Sequence, residues 1–120
     1  MLAKNKEQAR FNMAEQQIRP WDVFDQRVLE TMQNVPREKF VPHDYRNLAF
    51  ADTEIPIGHG QTMMAPRLEA RMLQALSLKA SDRVLEIGTG SGFMTACLAS
   101  LANSVVSSDI FEDFTEATRE

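Results

Sequence analysis

Apolar residues recur at helical spacing in two stretches near the start of the chain. In EQARFNMAEQQI, Phe11, Ala14 and Ile18 fall on one face among strong helix formers. Pro20 is expected to end that helix, because its ring disfavours a helical residue before it. DQRVLETMQNV predicts a second helix, with Asp25 as its cap and Val28, Leu29 and Met32 on one side. Trp21 and Phe24, between the two, are expected to anchor these helices to the body of the domain. PREKFVP turns the chain between Pro36 and Pro42. The stretch 43–62 reads as irregular loop with short extended pieces, given Pro56, Gly58 and Gly60.

The clearest periodicity lies in APRLEARMLQALSL, where Pro66 suits a first helical turn and Leu68, Met72, Leu73 and Leu76 suggest a continuous apolar stripe. A polar turn follows, then RVLEI, an apolar strand bounded by glycines. SGFMTACLASLA predicts a helix of small residues packed on a sheet. SVVSSDI predicts a second strand, and FEDFTEATRE starts another helix. Strand, glycine turn, helix, strand is half of a doubly wound α/β sheet. The expected fold is therefore α/β: an N-terminal helical and loop segment over 1–65, then the first half of a Rossmann-like domain over 66–120. Two strands fall short of a stable parallel sheet, so the chain is expected to be the N-terminal part of a longer protein. An open strand edge and an uncovered apolar face would then favour self-association of the fragment.

Composition narrows the function classes. At 120 residues, 43% hydrophobic and 25% charged, the chain has the make-up of one globular domain. A net charge of −4 and a pI near 5.2 argue against a nucleic-acid or anionic-membrane surface. No run approaches the roughly 18 apolar residues of a membrane span, and the N-terminus lacks a secretory apolar core. The single cysteine, Cys97, forms no internal disulfide and no metal cluster, and is expected to pack as a small apolar residue. A cytoplasmic protein is expected.

The chemistry concentrates in EIGTGSG, residues 86–92. Gly88, Gly90 and Gly92 let the backbone turn sharply and approach a ligand at a helix N-terminus. The dinucleotide fingerprint is G-x-G-x-x-G; here the third glycine comes one residue early, and Phe93 stands where glycine is required. Glu86 beside the turn would repel a diphosphate but tolerate a cation. That disfavours a nicotinamide-dependent oxidoreductase and suits S-adenosyl-L-methionine, which carries a sulfonium and an ammonium and no phosphate. Asp109 ends the second strand, where a carboxylate accepts hydrogen bonds from ribose hydroxyls; it also suits a helix N-cap.

VLEIGTGSG resembles motif I of the class I S-adenosyl-L-methionine-dependent methyltransferases, and Asp109 resembles the acid closing their second strand. Upstream, MAEQQIRP, RVLETMQNVPREKFVP, AFADTEIPIGHGQTMMAP and LEARMLQAL are similar, in order and spacing, to the protein-L-isoaspartate O-methyltransferases. The resemblance implies methyl transfer from S-adenosyl-L-methionine to the carboxylate of isoaspartyl residues in damaged proteins, with Glu86, Gly88, Gly90, Gly92 and Asp109 on the cofactor. It also implies an acceptor loop over 60–66, in which family members carry a substrate-binding serine where this chain has Met64. A thioether is a weak acceptor and never a donor. Two readings stand open: Met63 and Met64 fill space over the cofactor pocket, or the acceptor has changed, leaving a methyltransferase-like or regulatory binder. Thr62 is the candidate replacement hydroxyl. His59 lies either near the cofactor or in an exposed loop, and His43 is expected to be solvated.

Overall fold

A computed structural model describes residues 2–118, with side chains from residue 5 onward. Helix α1 (Leu2–Asn12) widens into a π-helical stretch, Met13–Ile18, and closes with a 3-10 turn at Arg19–Trp21 that contains Pro20. A π turn aligns residues five apart, so Met13 and Ile18 enter the core with Ala14. Phe11, expected on the inner face, is 52% exposed.

Helix α2 (Gln26–Asn34) starts at Asp25, whose carboxylate accepts a hydrogen bond from the Arg27 N–H at 3.0 Å, and buries Val28, Leu29 and Met32 as its spacing requires. The anchoring expected of Phe24 is not observed: its side chain is 78% exposed. The segment is held through its backbone instead. The Gln74 side chain accepts from the N–H groups of Phe24 and Asp25 and donates to the Asp22 carbonyl. Trp21, 39% exposed, contributes a face for the Arg67 guanidinium at 4.1 Å.

Beyond 3-10 turns at Arg37–Lys39 and His43–Leu48, the expected extended pieces form a hairpin of β1 (Ile55–Gly58) and β2 (Gln61–Met63), antiparallel, with Ile55 opposite Met63. Helix α3 (Pro66–Leu76) begins at Pro66. Its expected apolar stripe is largely turned outward: Leu68, Met72 and Leu76 are exposed, whereas Glu69, Ala70 and Leu73 are buried. The reason is a charged partner in the core, described below.

Strand β3 (Arg83–Ile87) pairs in parallel with β4 (Ser104–Ser108), Glu86 opposite Ser107, and α4 (Phe93–Leu101) makes the crossover. Alternation sends Val84 and Val105 into the core beneath α4. Leu85, Ile87 and Val106 point the other way and are 65–78% exposed. Helix α5 (Glu112–Thr118) follows; the rest of the helix expected in FEDFTEATRE lies outside the described residues. One hydrophobic cluster joins both parts of the chain, running from Met13, Ile18 and Met32 to Leu73, Phe93 and Cys97.

Candidate functional site

The turn between β3 and α4 is built by hydrogen bonding to the end of β4. The Ser108 carbonyl accepts from the N–H groups of Gly88 at 2.7 Å and Thr89 at 3.2 Å, so the turn folds over the C-terminal ends of both strands. Gly88, Gly90 and Gly92 all have positive φ. The three do different work. A Cβ on Gly88 would meet nothing within 4 Å, so that backbone borders open space. A Cβ on Gly92 would overlap the Thr118 side chain, so that glycine permits α5 to approach α4.

Beside the turn lies a cavity of about 530 Å³. Thr62 from the hairpin, Met64 just after it, Glu86 from β3, and Gly88 and Gly90 from the turn all border it. Gly92 does not. The cavity also runs along the edge of β3 that no strand pairs with among the described residues, where Met72, Leu76, Leu85 and Ile87 line it. Among the described residues its lining holds no lysine, arginine or histidine, which suits a neutral or cationic ligand better than a phosphate.

Asp109 sits immediately after β4. One carboxylate oxygen accepts from the Gly90 N–H at 3.0 Å and the other from the Phe111 N–H at 2.9 Å. These N–H groups, with a smaller contribution from His59, hold the carboxyl below its ordinary value. Each oxygen retains a lone pair for a hydroxyl. The Phe111 contact is a turn two residues on that precedes α5, which begins at Glu112, so the helix N-cap role expected of Asp109 is not observed.

Glu86 faces α4. Its Oε1 accepts from the Thr95 hydroxyl and, at 2.6 Å, from the Ser107 hydroxyl. Ser107 in turn lies 2.6 Å from Thr89 Oγ1. The carboxylate therefore ties β3, β4, α4 and the glycine turn together while bordering the cavity.

Met64 is fixed through its backbone: Arg37 donates to its carbonyl at 2.9 Å. Arg37 is fully buried, donates also to the Ala49 carbonyl at 2.8 Å, pairs with the Glu69 carboxylate and covers the Phe93 ring. Burial pushes the Glu69 carboxyl up to about 7, against the pull of Arg37. Sequence patterning missed this pair because a hydropathy template assigns both residues to solvent. The available signal was Arg37 inside the VPRE segment. Cys97 is buried behind the pair; burial, assisted by Glu69, raises its thiol far above the ordinary range. His43 is exposed. His59, at the hairpin tip, contacts the start of α5. Among the described residues no three His, Cys, Asp or Glu side chains are grouped to hold a metal, and no helix is long and apolar enough to cross a membrane.

Residues 8–120 match the model of the protein-L-isoaspartate(D-aspartate) O-methyltransferase family. The chain belongs to that family. Among curated protein-L-isoaspartate O-methyltransferases, the Opitutus terrae protein is 48% identical over 103 residues, covering 86% of this chain and 44% of the relative. The Methanoculleus marisnigri protein is 45% identical over 111 residues, covering 92% of this chain and 50% of the relative. The chain spans about half the length of the curated relatives it matches. A Plasmodium falciparum protein of the same assignment, crystallised with S-adenosyl-L-homocysteine, superposes with a TM-score of 0.77 at 26% identity, over 92% of this chain and 53% of that one. A second protein-L-isoaspartate O-methyltransferase structure, at 22% identity and TM-score 0.70, shares the fold. The architecture is thus the α/β fold of this methyltransferase family, seen over its N-terminal part.

Proposed function

We propose that this chain provides the cofactor cradle and the acceptor loop for methyl transfer from S-adenosyl-L-methionine to isoaspartyl carboxylates of damaged proteins, a repair reaction. The observation carrying this reading is a glycine turn of the matched family folded against an uncharged or acidic cavity, with Asp109 pinned at the turn. The S-adenosyl-L-methionine cofactor supplies a methyl group activated on a sulfonium. Gly88 and Gly90 would admit its amino-acid end, and Asp109 would accept from its ribose hydroxyls. Glu86 would hold the turn in shape and place negative charge near the cation. Gly92 would act through packing.

The acceptor carboxylate is ionised at neutral pH, given a reference pKa of about 4. No general base is therefore required, and the task of the chain is alignment. Thr62 and Met64 border the same cavity as the turn, which makes Thr62 the candidate hydroxyl donor to the acceptor. Met64 offers an apolar wall on a backbone that Arg37 keeps in place. Its thioether favours a second reading, a protein that binds the cofactor but has a different acceptor or a regulatory role. A cytoplasmic location and protein or peptide substrates accompany the first reading. The exposed face of Leu85, Ile87 and Val106 is proposed to drive self-association of this chain alone, and a monomer mass in light scattering would refute that.

The reaction is tested by joining the chain to the C-terminal half of a curated relative and following labelled methyl from S-adenosyl-L-methionine to an isoaspartyl peptide, with the aspartyl peptide as control. Selective transfer is expected. Absence of transfer with cofactor binding intact, and recovery in Met64→Ser, would favour the second reading.

A further inference from the structure

We infer that His59 is a positioning residue that clasps the acceptor hairpin onto the cofactor loop; the inference rests on the function just proposed and adds a residue that this function leaves unassigned. His59 occupies the hairpin tip with φ 55°, a left-handed conformation uncommon outside glycine. Its imidazole stacks on the Phe111 ring, centroids 4.1 Å apart and planes 14° from parallel. The edge of Phe114 completes the aromatic seat at 5.2 Å. Nε2 lies 2.9 and 3.0 Å from the two carboxylate oxygens of Asp113.

Phe111 is also the residue whose backbone N–H fixes Asp109. Three residues beyond His59, on the same hairpin, Thr62 borders the cavity. The hairpin lies over the glycine turn, with Ile57 Cδ1 3.5 Å from the Cβ position of Gly90. One side chain therefore links the loop bearing the acceptor positions to the loop bearing the cofactor carboxylate.

The hairpin needs that link. Its base is buried through Ile55 and Met63, but its strands have four and three residues, too short to hold a tip in place alone. An exposed polar contact with Asp113 adds little by itself. The stacked ring adds the directional contact, and the left-handed tip aims it.

The test compares His59→Asn with the unaltered full chain. Asparagine tolerates the left-handed backbone, so the substitution removes the ring without straining the turn. Amide hydrogen exchange should quicken over residues 57–63 and stay unchanged in α2 and α4. Affinity for S-adenosyl-L-homocysteine, measured by calorimetry, should fall roughly three- to tenfold. His59→Tyr, with a ring for Phe111 and a hydroxyl for Asp113, should recover most of that affinity. Unchanged exchange, or faster exchange with full affinity, would overturn the role of His59 while the binding by the unaltered chain upholds the cofactor reading. An unaltered chain that fails to bind would remove the cofactor reading, and the inference with it.

Discussion

Replacing Arg37 with methionine probes the most buried polar feature of the fold. Methionine keeps much of the volume against Phe93 but removes the guanidinium. Glu69, 3% exposed, then loses its countercharge, and the Ala49 and Met64 carbonyls lose their donor. Breaking a buried pair from one side costs about 3–5 kcal/mol, a large share of the ~5–15 kcal/mol of a typical domain. The loss should depend on pH. In the unaltered chain the Glu69 carboxyl is raised from 4.5 to about 7, so the folded state binds a proton more tightly than the unfolded one. The Glu69 contribution to stability is then greatest below 4.5 and falls as pH rises towards 7, at about 1.36 kcal/mol per pH unit. Between about pH 5.5 and about pH 8.5 this costs the unaltered chain about 2 kcal/mol, since the fall ends near pH 7. Without Arg37 the carboxyl loses the partner that lowers it, so the fall continues past pH 7 and the cost over the same interval rises, to at most about 4 kcal/mol. Urea unfolding followed by circular dichroism should therefore find Arg37→Met more damaging at the higher pH, by up to about 2 kcal/mol. Glu69→Gln, which keeps the hydrogen-bonding shape, should flatten the pH slope of the unaltered chain. A loss from Arg37→Met that is the same at both pH values would refute the reasoning.

The glycines should separate by role: Gly92→Ala forces Cβ onto Thr118 at a left-handed backbone and should destabilise by about 1–3 kcal/mol in a thermal melt. Gly88→Ala meets no neighbour, so it should cost about 1 kcal/mol from backbone strain and lose cofactor affinity out of proportion to that. Asp109 should titrate below an ordinary aspartate by carbon NMR. Because its folded value is depressed, its contribution to stability is present above 3.8 and disappears as pH falls through that folded value. Cys97 should resist maleimide in the folded chain and react on unfolding.

Much of this was legible because it is local. The strand 83–87, the glycine turn and the helix after it follow from residue order alone, and α2 follows from a cap and a stripe. The errors have a common physical cause. Hydropathy places Leu68, Met72 and Leu76 inside and Glu69 outside, but α3 presents Glu69 to Arg37 in the core while Met72 and Leu76 line the cavity. Likewise, aromatic bulk suggested that Phe24 anchors its segment, whereas the Gln74 side chain holds that backbone by hydrogen bonds fifty residues away in sequence. At the site, spacing identified Gly88, Gly90 and Gly92 as a set. Only their three-dimensional neighbours distinguish Gly88 at the cavity from Gly92 under α5. His59 was visible as a histidine between glycines, yet Phe111 and Asp113, which give it a task, come from a distant segment.

The central claim is that the turn and Asp109 hold S-adenosyl-L-methionine, and equilibrium dialysis of the labelled cofactor against the chain tests it most directly. Saturable binding is predicted, competed by S-adenosyl-L-homocysteine, unaffected by NADH and weakened in Asp109→Ala. Binding that NADH competes, or that Asp109→Ala leaves unchanged, would contradict the account.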